Sequence, residues 1–153
     1  NSLSIVLLKR SNLVRYHKGE IAFPGGMHEK TDKNLEDTAL REFEEEIGIS
    51  KTTVSLIARL DDVITKTKFL VTPFVGRITS EHIYSINRDE VDEILEIPIE
   101  DLISKNIQNK EQIYQNLARE NFFWEKHKIF GATLKILIQF IEIYNQIKRE
   151  RVF

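Results

Sequence analysis

Three glutamates stand close together near the end of a segment whose apolar spacing predicts a helix. Glu42, Glu45 and Glu46 occupy positions i, i+3 and i+4, so on a helix their carboxylates share one face, about 5 to 6 Å apart at Cβ. Like charges at that spacing repel each other, and acids near a helix C-terminus oppose the helix dipole. A divalent cation reverses both effects, because clustered oxygen ligands suit Mg²⁺ or Mn²⁺. The three acids alone favour an ordinary solvated helix face, because Glu-rich helix faces are common.

A glycine-containing loop precedes that helix. Pro24 removes a backbone donor, and Gly25 and Gly26 permit positive φ angles and close approach of the backbone. Such a loop can present carbonyl and N–H groups beside the acids, for a metal ion and for a phosphate group. A plain turn explains the glycines by themselves, so the interpretation depends on loop and helix together. Arg41 lies four residues before Glu45 and can orient its carboxylate.

The composition limits the kinds of site that the chain can build. Its 153 residues include no Cys, which excludes disulfides, a thiolate nucleophile and Cys-ligated zinc. The formal net charge of −2 conceals two local features: segment 9–20 has four cations and one acid, whereas segment 29–46 has eight acids and three cations. The near balance of charge gives no sign of a nucleic-acid-binding protein. A basic segment and an acidic one therefore flank the glycine loop.

Hydrophobic periodicity predicts two main helices. Apolar residues at three- and four-residue steps predict the first over about 35–47, with Asn34 as its N-cap and Gly48 just past its end. Gly131 introduces the second, over about 132–149. Its apolar stretch is interrupted by polar residues, so we expect no membrane span.

Short apolar runs predict the strands. In chain order they cover 3–8, 21–23, 54–60, 69–78, 93–99 and, as one or two strands, the aromatic-rich stretch 112–130. Pro73 places part of the fourth strand at an edge or bulge, and a short helical turn is predicted after Pro98. Together the elements predict one α+β domain over 1–153, with a mixed sheet packed by the two helices.

The loop and the acidic helix together resemble the Nudix box, whose pattern is Gly, five residues, Glu, seven residues, then Arg-Glu-apolar-x-Glu-Glu-x-Gly-apolar. Gly26 opens the match, and REFEEEIGI at 41–49 closes it. Asp32 stands where the pattern has Glu, and eight residues rather than seven separate it from Arg41. The resemblance implies the Nudix fold, an α/β/α sandwich around a mixed sheet, and hydrolysis of a diphosphate with one to three Mg²⁺ or Mn²⁺ ions.

The basic segment is similar to a signature found ahead of the Nudix box in the coenzyme A diphosphatase subfamily. The matching residues are Val6-Leu7-Leu8-Lys9-Arg10-Ser11, Arg15, Gly19 and Phe23-Pro24-Gly25-Gly26, with Leu8 in place of a small hydroxyl residue. Two later segments also match, TPFVG at 72–76 and IFGAT at 129–133, where Phe130 replaces tryptophan. This resemblance implies cleavage of coenzyme A or a derivative to 3′,5′-ADP and 4′-phosphopantetheine.

The same resemblance implies a role for each candidate site residue. The expected metal ligands are Glu42, Glu45, Glu46 and a carbonyl of the glycine loop, Gly26 or Gly25. The expected general base is Glu45, oriented by Arg41, with Glu90 or Glu93 as alternatives that the sequence does not separate. The expected phosphate contacts are Arg10, Arg15, Gly25 and Gly26, with Lys9 or Lys18 as further donors.

Two other functions stay open. The substrate could be another nucleoside diphosphate compound, such as ADP-ribose, a dinucleoside polyphosphate or a damaged nucleotide. A non-catalytic module that binds coenzyme A or a nucleotide is more remote, because the acid set is complete. We expect a small-molecule partner, neither nucleic acid nor membrane, and a cytoplasmic location. The oligomeric state is left open, a homodimer included.

Overall fold

The structure of the chain, a computed structural model, describes residues 3–104 and 121–150. Its strands are β1 (Ser4–Arg10), β2 (Ile21–Ala22), β3 (Val54–Arg59), β4 (Val63–Ile64), β5 (Leu70–Val71), β6 (Phe74–Ile78), β7 (Val91–Pro98), β8 (Asn121–Trp124) and β9 (His127–Phe130). Its helices are α1 (Leu35–Ile47), α2 (Ile99–Ser104) and α3 (Gly131–Glu150), with a 3-10 turn at Lys51–Thr53. The predicted α+β class is confirmed. The part of the predicted stretch 112–130 that precedes β8 lies outside the described residues.

β1 is the central strand of a three-stranded antiparallel sheet, between β2 and β7. Leu7 and Leu8 are both fully buried, and they point to opposite faces because side chains alternate along a strand. Leu7 packs with the core against α3. Arg10, on the same face as Leu8, reaches Glu46 of α1. The sheet therefore has α3 on one side and α1 on the other, which is the α/β/α order expected from the resemblance.

The main core fills the space between β1, β7 and α3. Its buried side chains are Leu7, Ile21, Leu95, Ile97, Ile99, Leu102, Ile129, Leu134, Leu137 and Ile141. Each such Leu or Ile contributes about 1.5 to 3 kcal/mol on burial. Trp124 packs against this core from β8, and its Nε1–H donates to Asp101 Oδ2 at 3.4 Å. The core thus gives β1 and β7 a rigid support on the side away from α1.

The remaining strands form three two-stranded antiparallel ladders, β3 with β6, β4 with β5, and β8 with β9. The predicted strand over 69–78 is divided into β5 and β6 at Pro73, whose carbonyl accepts from the Leu60 N–H at 2.9 Å. All strand pairs in the described part of the chain are antiparallel, so the parallel pairing of a mixed sheet is not among them. No helix within 3–104 or 121–150 is long and apolar enough to cross a membrane.

Candidate active site

Helix α1 is flanked by the two capping residues that the sequence predicts, Asn34 and Gly48. The Asn34 side chain accepts a hydrogen bond from the Asp37 N–H at 2.9 Å, and Gly48 (φ 78°) donates its N–H to the Glu44 carbonyl at 2.9 Å. A Cβ at Gly48 would overlap the backbone oxygen of Ser85, so glycine is required there for conformation and for space. These two caps fix the ends of α1, and its C-terminal half carries the acidic residues.

Glu46 is the most deeply buried of those acids, with 1% of its surface exposed. Its Oε2 accepts the Gly25 N–H at 3.0 Å, and its Oε1 lies 3.7 Å from Arg10 Nη1. Burial is the main cause that raises the pKa of Glu46 to about 7, against the lowering effect of the Gly25 N–H and Arg10. The negative charges of Glu42 and Glu90 raise it further. Because burial makes the ionised carboxylate of Glu46 unfavourable, a cation bound beside it would be stabilising.

The glycine loop reaches the acids at a second point, Gly26. A Cβ at Gly26 would overlap the carboxyl group of Glu42, so only glycine lets the backbone lie against that group. Burial raises the pKa of Glu42, although the neighbouring guanidinium of Arg41 lowers it. The structure thus brings together the loop and two of the three predicted acids.

Arg41 connects the acids to the loop. Its Nη1 donates to Glu42 Oε1 at 2.9 Å and to Glu45 Oε2 at 3.1 Å, while Nη2 donates to the Met27 carbonyl at 3.0 Å. Its other partner is Asp32, which accepts from Nε at 2.8 Å and from Nη2 at 3.0 Å. This hydrogen-bonded pair raises the pKa of Arg41 and lowers that of Asp32. Arg41 therefore contacts Glu45 and is itself held by Asp32.

Asp32 is the residue that departs from the Nudix pattern, and the structure shows what it contacts. It is buried, and its Oδ2 accepts from the Glu29 N–H and from Thr38 Oγ1, each at 2.9 Å. Its N–H closes a turn by donating to the Glu29 carbonyl at 3.0 Å. The shorter Asp side chain thus reaches Arg41 in spite of the longer spacer. Asp32 is engaged in holding the arginine.

Glu45 differs from the other two acids in being open to solvent, with 53% of its side chain exposed. In the part of the chain that the structure describes, no three acidic or histidine side chains converge into an assembled metal cluster. The carboxylates are held by Arg10, Arg41 and the loop N–H. The donor set still suits Mg²⁺ or Mn²⁺, because it consists of oxygen atoms and includes the buried carboxyl group of Glu46 and the partly buried one of Glu42, which lies against the bare backbone of Gly26.

The segment before β7 brings Glu90 to the same acids. It is attached to the end of α1, because the Ser85 N–H donates to the Ile47 carbonyl at 2.9 Å and the Asn87 N–H donates to the Glu46 carbonyl at 3.1 Å. Asn87 Nδ2 also donates to Glu90 Oε1 at 3.1 Å. The charge of Glu90 is close enough to raise the pKa of Glu46. Of the two alternatives to Glu45 as base, Glu90 is the one placed near the acids.

Glu93, the other alternative to Glu45 as base, lies on the face of the sheet that is turned away from α1. It pairs in register with Lys9, and cross-strand partners share a face. Lys9 neighbours Arg10 in the strand and so points away from α1. The carboxylate of Glu93 lies instead 3.4 Å from Nε2 of the buried His127.

The basic segment is likewise divided between two faces. Arg10 points toward Glu46, and its Nε is buried without a hydrogen-bond partner among the described residues. Arg15 is exposed, with its guanidinium 5.2 Å from the ring centroid of Tyr16, and within 3–104 and 121–150 it has no ion pair to the acids. Lys9 and Lys18 line a cavity on the opposite side of β1. The structure brings Arg10 to the acids, and does not bring the other three cations there.

Comparisons with known proteins agree with this geometry. Residues 1–118 match the NUDIX domain family. The chain is 34% identical over 145 residues to an uncharacterized Nudix hydrolase NudL of Pectobacterium atrosepticum, covering 89% of this chain and 72% of that protein. Its fold is similar to that of a MutT protein from Methanosarcina mazei (TM-score 0.59, 19% identity, 93% and 85% of the two chains). It is also similar to an Ap4A hydrolase of Caenorhabditis elegans (TM-score 0.55, 16% identity, 75% and 85%).

The segment that resembles the Nudix box opens at Gly26 and closes at 41–49. In the structure the backbone of Gly26 lies against the carboxyl group of Glu42 in the same segment. The family match covers more than half of the chain. The chain therefore belongs to the Nudix family and is a Nudix hydrolase, an enzyme that acts on nucleoside diphosphate compounds and generally uses a divalent metal ion such as Mg²⁺.

Proposed function

We propose that the chain hydrolyses the diphosphate bond of coenzyme A or one of its derivatives, giving 3′,5′-ADP and 4′-phosphopantetheine. The observation that carries the proposal is the position of Arg10, which belongs to the coenzyme A signature and not to the Nudix box. Its Nη1 lies 3.7 Å from Glu46, and its buried Nε has no partner among the described residues. A buried, unpaired guanidinium N–H beside the acids is suited to an anionic phosphate oxygen.

The acids and the loop share the binding of the metal and the diphosphate. The proposed metal ligands are Glu42, Glu45, Glu46 and the Gly26 carbonyl. A Mg²⁺ or Mn²⁺ ion held by these residues would neutralise charge on the diphosphate and would lower the pKa of a water molecule. The Gly25 N–H and Arg10 hold Glu46 in place, so that ordering these carboxylates costs little when the substrate binds.

Glu45 is the proposed proton acceptor. Its carboxylate is the most accessible of the three and is oriented by Arg41 at 3.1 Å, so it can take a proton from the attacking water during in-line displacement at phosphorus. Glu90 is the alternative acceptor, held by Asn87 beside Glu42 and Glu46.

Substitution of single acids tests the assignment. Glu45→Gln keeps the shape of the side chain, so we expect an unchanged fold and a loss of Mg²⁺-dependent turnover of about 100-fold or more. Glu36→Gln is the matched control, because it removes the same charge from the exposed first turn of the same helix and should leave turnover unchanged. Full turnover by Glu45→Gln together with loss in Glu90→Gln would move the base to Glu90. Full turnover in both would overturn the mechanism.

The substrate is tested by comparing coenzyme A, dephospho-coenzyme A, ADP-ribose and a dinucleoside polyphosphate, with products identified by mass spectrometry. Coenzyme A should have the highest kcat/KM, and Arg10→Ala should lower it more than Arg15→Ala does. One observation favours the broader alternative, hydrolysis of another nucleoside diphosphate compound: Arg15 of the coenzyme A signature lies on Tyr16 and not at the acids. Equal or better turnover of ADP-ribose would establish that alternative, and ligand binding without products would leave a binding module.

A further inference from the structure

Four lysines gather around a cavity on the face of β1 that is turned away from Arg10. The cavity has a volume of about 330 Å³. Its cationic wall, here called the lysine pocket, consists of Lys9 from β1, Lys18 from the loop before β2, and Lys126 and Lys128 from the β8–β9 hairpin. The basic segment 9–20 and the β8–β9 hairpin, which are distant in sequence, therefore each contribute two lysines to the lining of one cavity.

The charge of the lysine pocket is only partly balanced by the protein around it, because four lysines face two carboxylates, those of Glu20 and Glu93. Among the lining residues Glu20 is the acid, and its Oε2 lies 3.0 Å from Nδ1 of His17. Glu93, which shares the face of Lys9, is engaged with His127. No ion pair in the described ranges involves any of the four lysines. Gathering like charges is unfavourable, and a bound anion reverses the sign.

The shape and chemistry of the lysine pocket fit a small phosphorylated molecule. Pockets of about 300 Å³ or more are of the size that holds small ligands. An ammonium group is a compact charge with three donors that can be directed at phosphate oxygens. Phe130 adds an apolar wall, 37% exposed, and the Lys128 ammonium lies 5.6 Å from its ring centroid, which restrains that lysine.

We propose that the lysine pocket is a binding site for a phosphoryl dianion, separate from the acidic site on the other face of β1. Two sources can supply that group. One is a phosphate monoester elsewhere on the substrate, and this source depends on the proposed function. The other is free phosphate or a small phosphorylated effector, and this source does not depend on it. The site itself goes beyond the proposed function, because binding there requires no turnover.

Binding is measured first, with the whole chain and two simple probes, inorganic phosphate and adenosine 3′-monophosphate, by calorimetry. Adenosine is the uncharged comparison. The variant Lys126→Gln/Lys128→Gln should bind both phosphates about tenfold more weakly, because two charged donors are lost. The matched control Lys66→Gln/Lys68→Gln removes the same charge from the exposed β4–β5 turn and should bind like the wild type. Phosphate should also protect Lys126 and Lys128 from amine-reactive labelling.

The second measurement identifies the source. If the ratio of kcat/KM for coenzyme A to that for dephospho-coenzyme A falls in Lys126→Gln/Lys128→Gln, the substrate supplies the phosphate. If that ratio is unchanged while phosphate binding is weakened, the ligand is free phosphate or an effector. Equal phosphate binding by wild type and variant, or no binding up to about 10 mM, overturns the site. An inactive enzyme that still binds phosphate in this way would refute the proposed function and leave the lysine pocket standing.

Discussion

Replacing Glu46 by glutamine should stabilise the chain above neutral pH, even though Glu46 is a proposed metal ligand. Burial raises its pKa from 4.5 to about 7. The unfolded chain loses this proton above pH 4.5, whereas the folded chain keeps it until about pH 7. The folded state thus binds more protons in this window, and the free energy of unfolding falls as pH rises through it. At about 1.4 kcal/mol per tenfold change in acidity, the ionised carboxylate costs about 3 kcal/mol at pH 8.

Glutamine removes that cost and retains an oxygen for the Gly25 N–H, which now donates to Glu46 Oε2 at 3.0 Å. It also gives up the attraction to Arg10 at 3.7 Å. The net gain of Glu46→Gln at pH 8 should therefore be about 2 to 3 kcal/mol, or about 5 to 10 °C in Tm for a chain of this length. The gain should shrink to below about 1 kcal/mol by pH 5, where the folded carboxyl group keeps its proton, and should vanish only below about pH 4, where the unfolded one is largely protonated as well.

Urea unfolding followed by circular dichroism at pH 5, 6, 7 and 8 measures this difference. Glu36→Gln, in the exposed first turn of α1, is the control and should show no comparable dependence on pH. Mg²⁺ should raise the stability of the wild type at pH 8 more than that of Glu46→Gln, since ligand binding to the folded state is stabilising. A variant that is no more stable than wild type at pH 8, or whose advantage does not narrow toward pH 5, would refute the reasoning.

Three further substitutions test single contacts. Gly26→Ala forces a Cβ onto the Glu42 carboxyl group, so kcat/KM should fall more than about tenfold with a smaller change in melting temperature. Asp32→Asn removes the negative charge that pairs with the Arg41 guanidinium. Because that pairing lowers the pKa of Asp32, the variant should have a lower melting temperature than the wild type at pH 7. The difference between the two melting temperatures should become smaller below about pH 4. Asn87→Ala deletes the donor to Glu90 Oε1; with Glu45 as the proton acceptor, steady-state kinetics should show kcat lowered by less than about tenfold, and a fall of about 100-fold would favour Glu90 as the acceptor.

The acidic helix could be predicted closely because its signals are local. The cap at Asn34, the αL residue Gly48 and the apolar spacing between them act within a few residues of where they stand. The division of the strand at Pro73 follows from the missing N–H and is local too. Strand β4 could not be found in this way. It has two residues, and its conformation depends on pairing with β5, which no short pattern records.

The acids and the glycine loop were predicted together because both lie in one continuous segment. The choice between Glu90 and Glu93 depended on tertiary structure. β7 has an extra residue, Asp92, opposite the step from Lys9 to Arg10 in β1, and this bulge decides which residues before and after it face α1. The contribution of Lys126 and Lys128 to the lysine pocket could not be predicted from the sequence for a similar reason. These residues line the same cavity as Lys9 because the folded chain brings the β8–β9 hairpin beside β1.

The alternation of side chains along β1 explains why the basic segment 9–20 contributes cations both to the lysine pocket and to the acidic site. Adjacent residues of a strand face opposite sides, so Lys9 and Arg10 are directed to the lysine pocket and to Glu46 respectively. A slip of one residue would exchange them. Backbone hydrogen bonds resist that slip at the end of the strand, because Arg10 donates to the Glu20 carbonyl at 2.9 Å and accepts from the Gly19 N–H at 3.0 Å. The loop that closes at Gly19 therefore determines which of the two cations meets the buried acid.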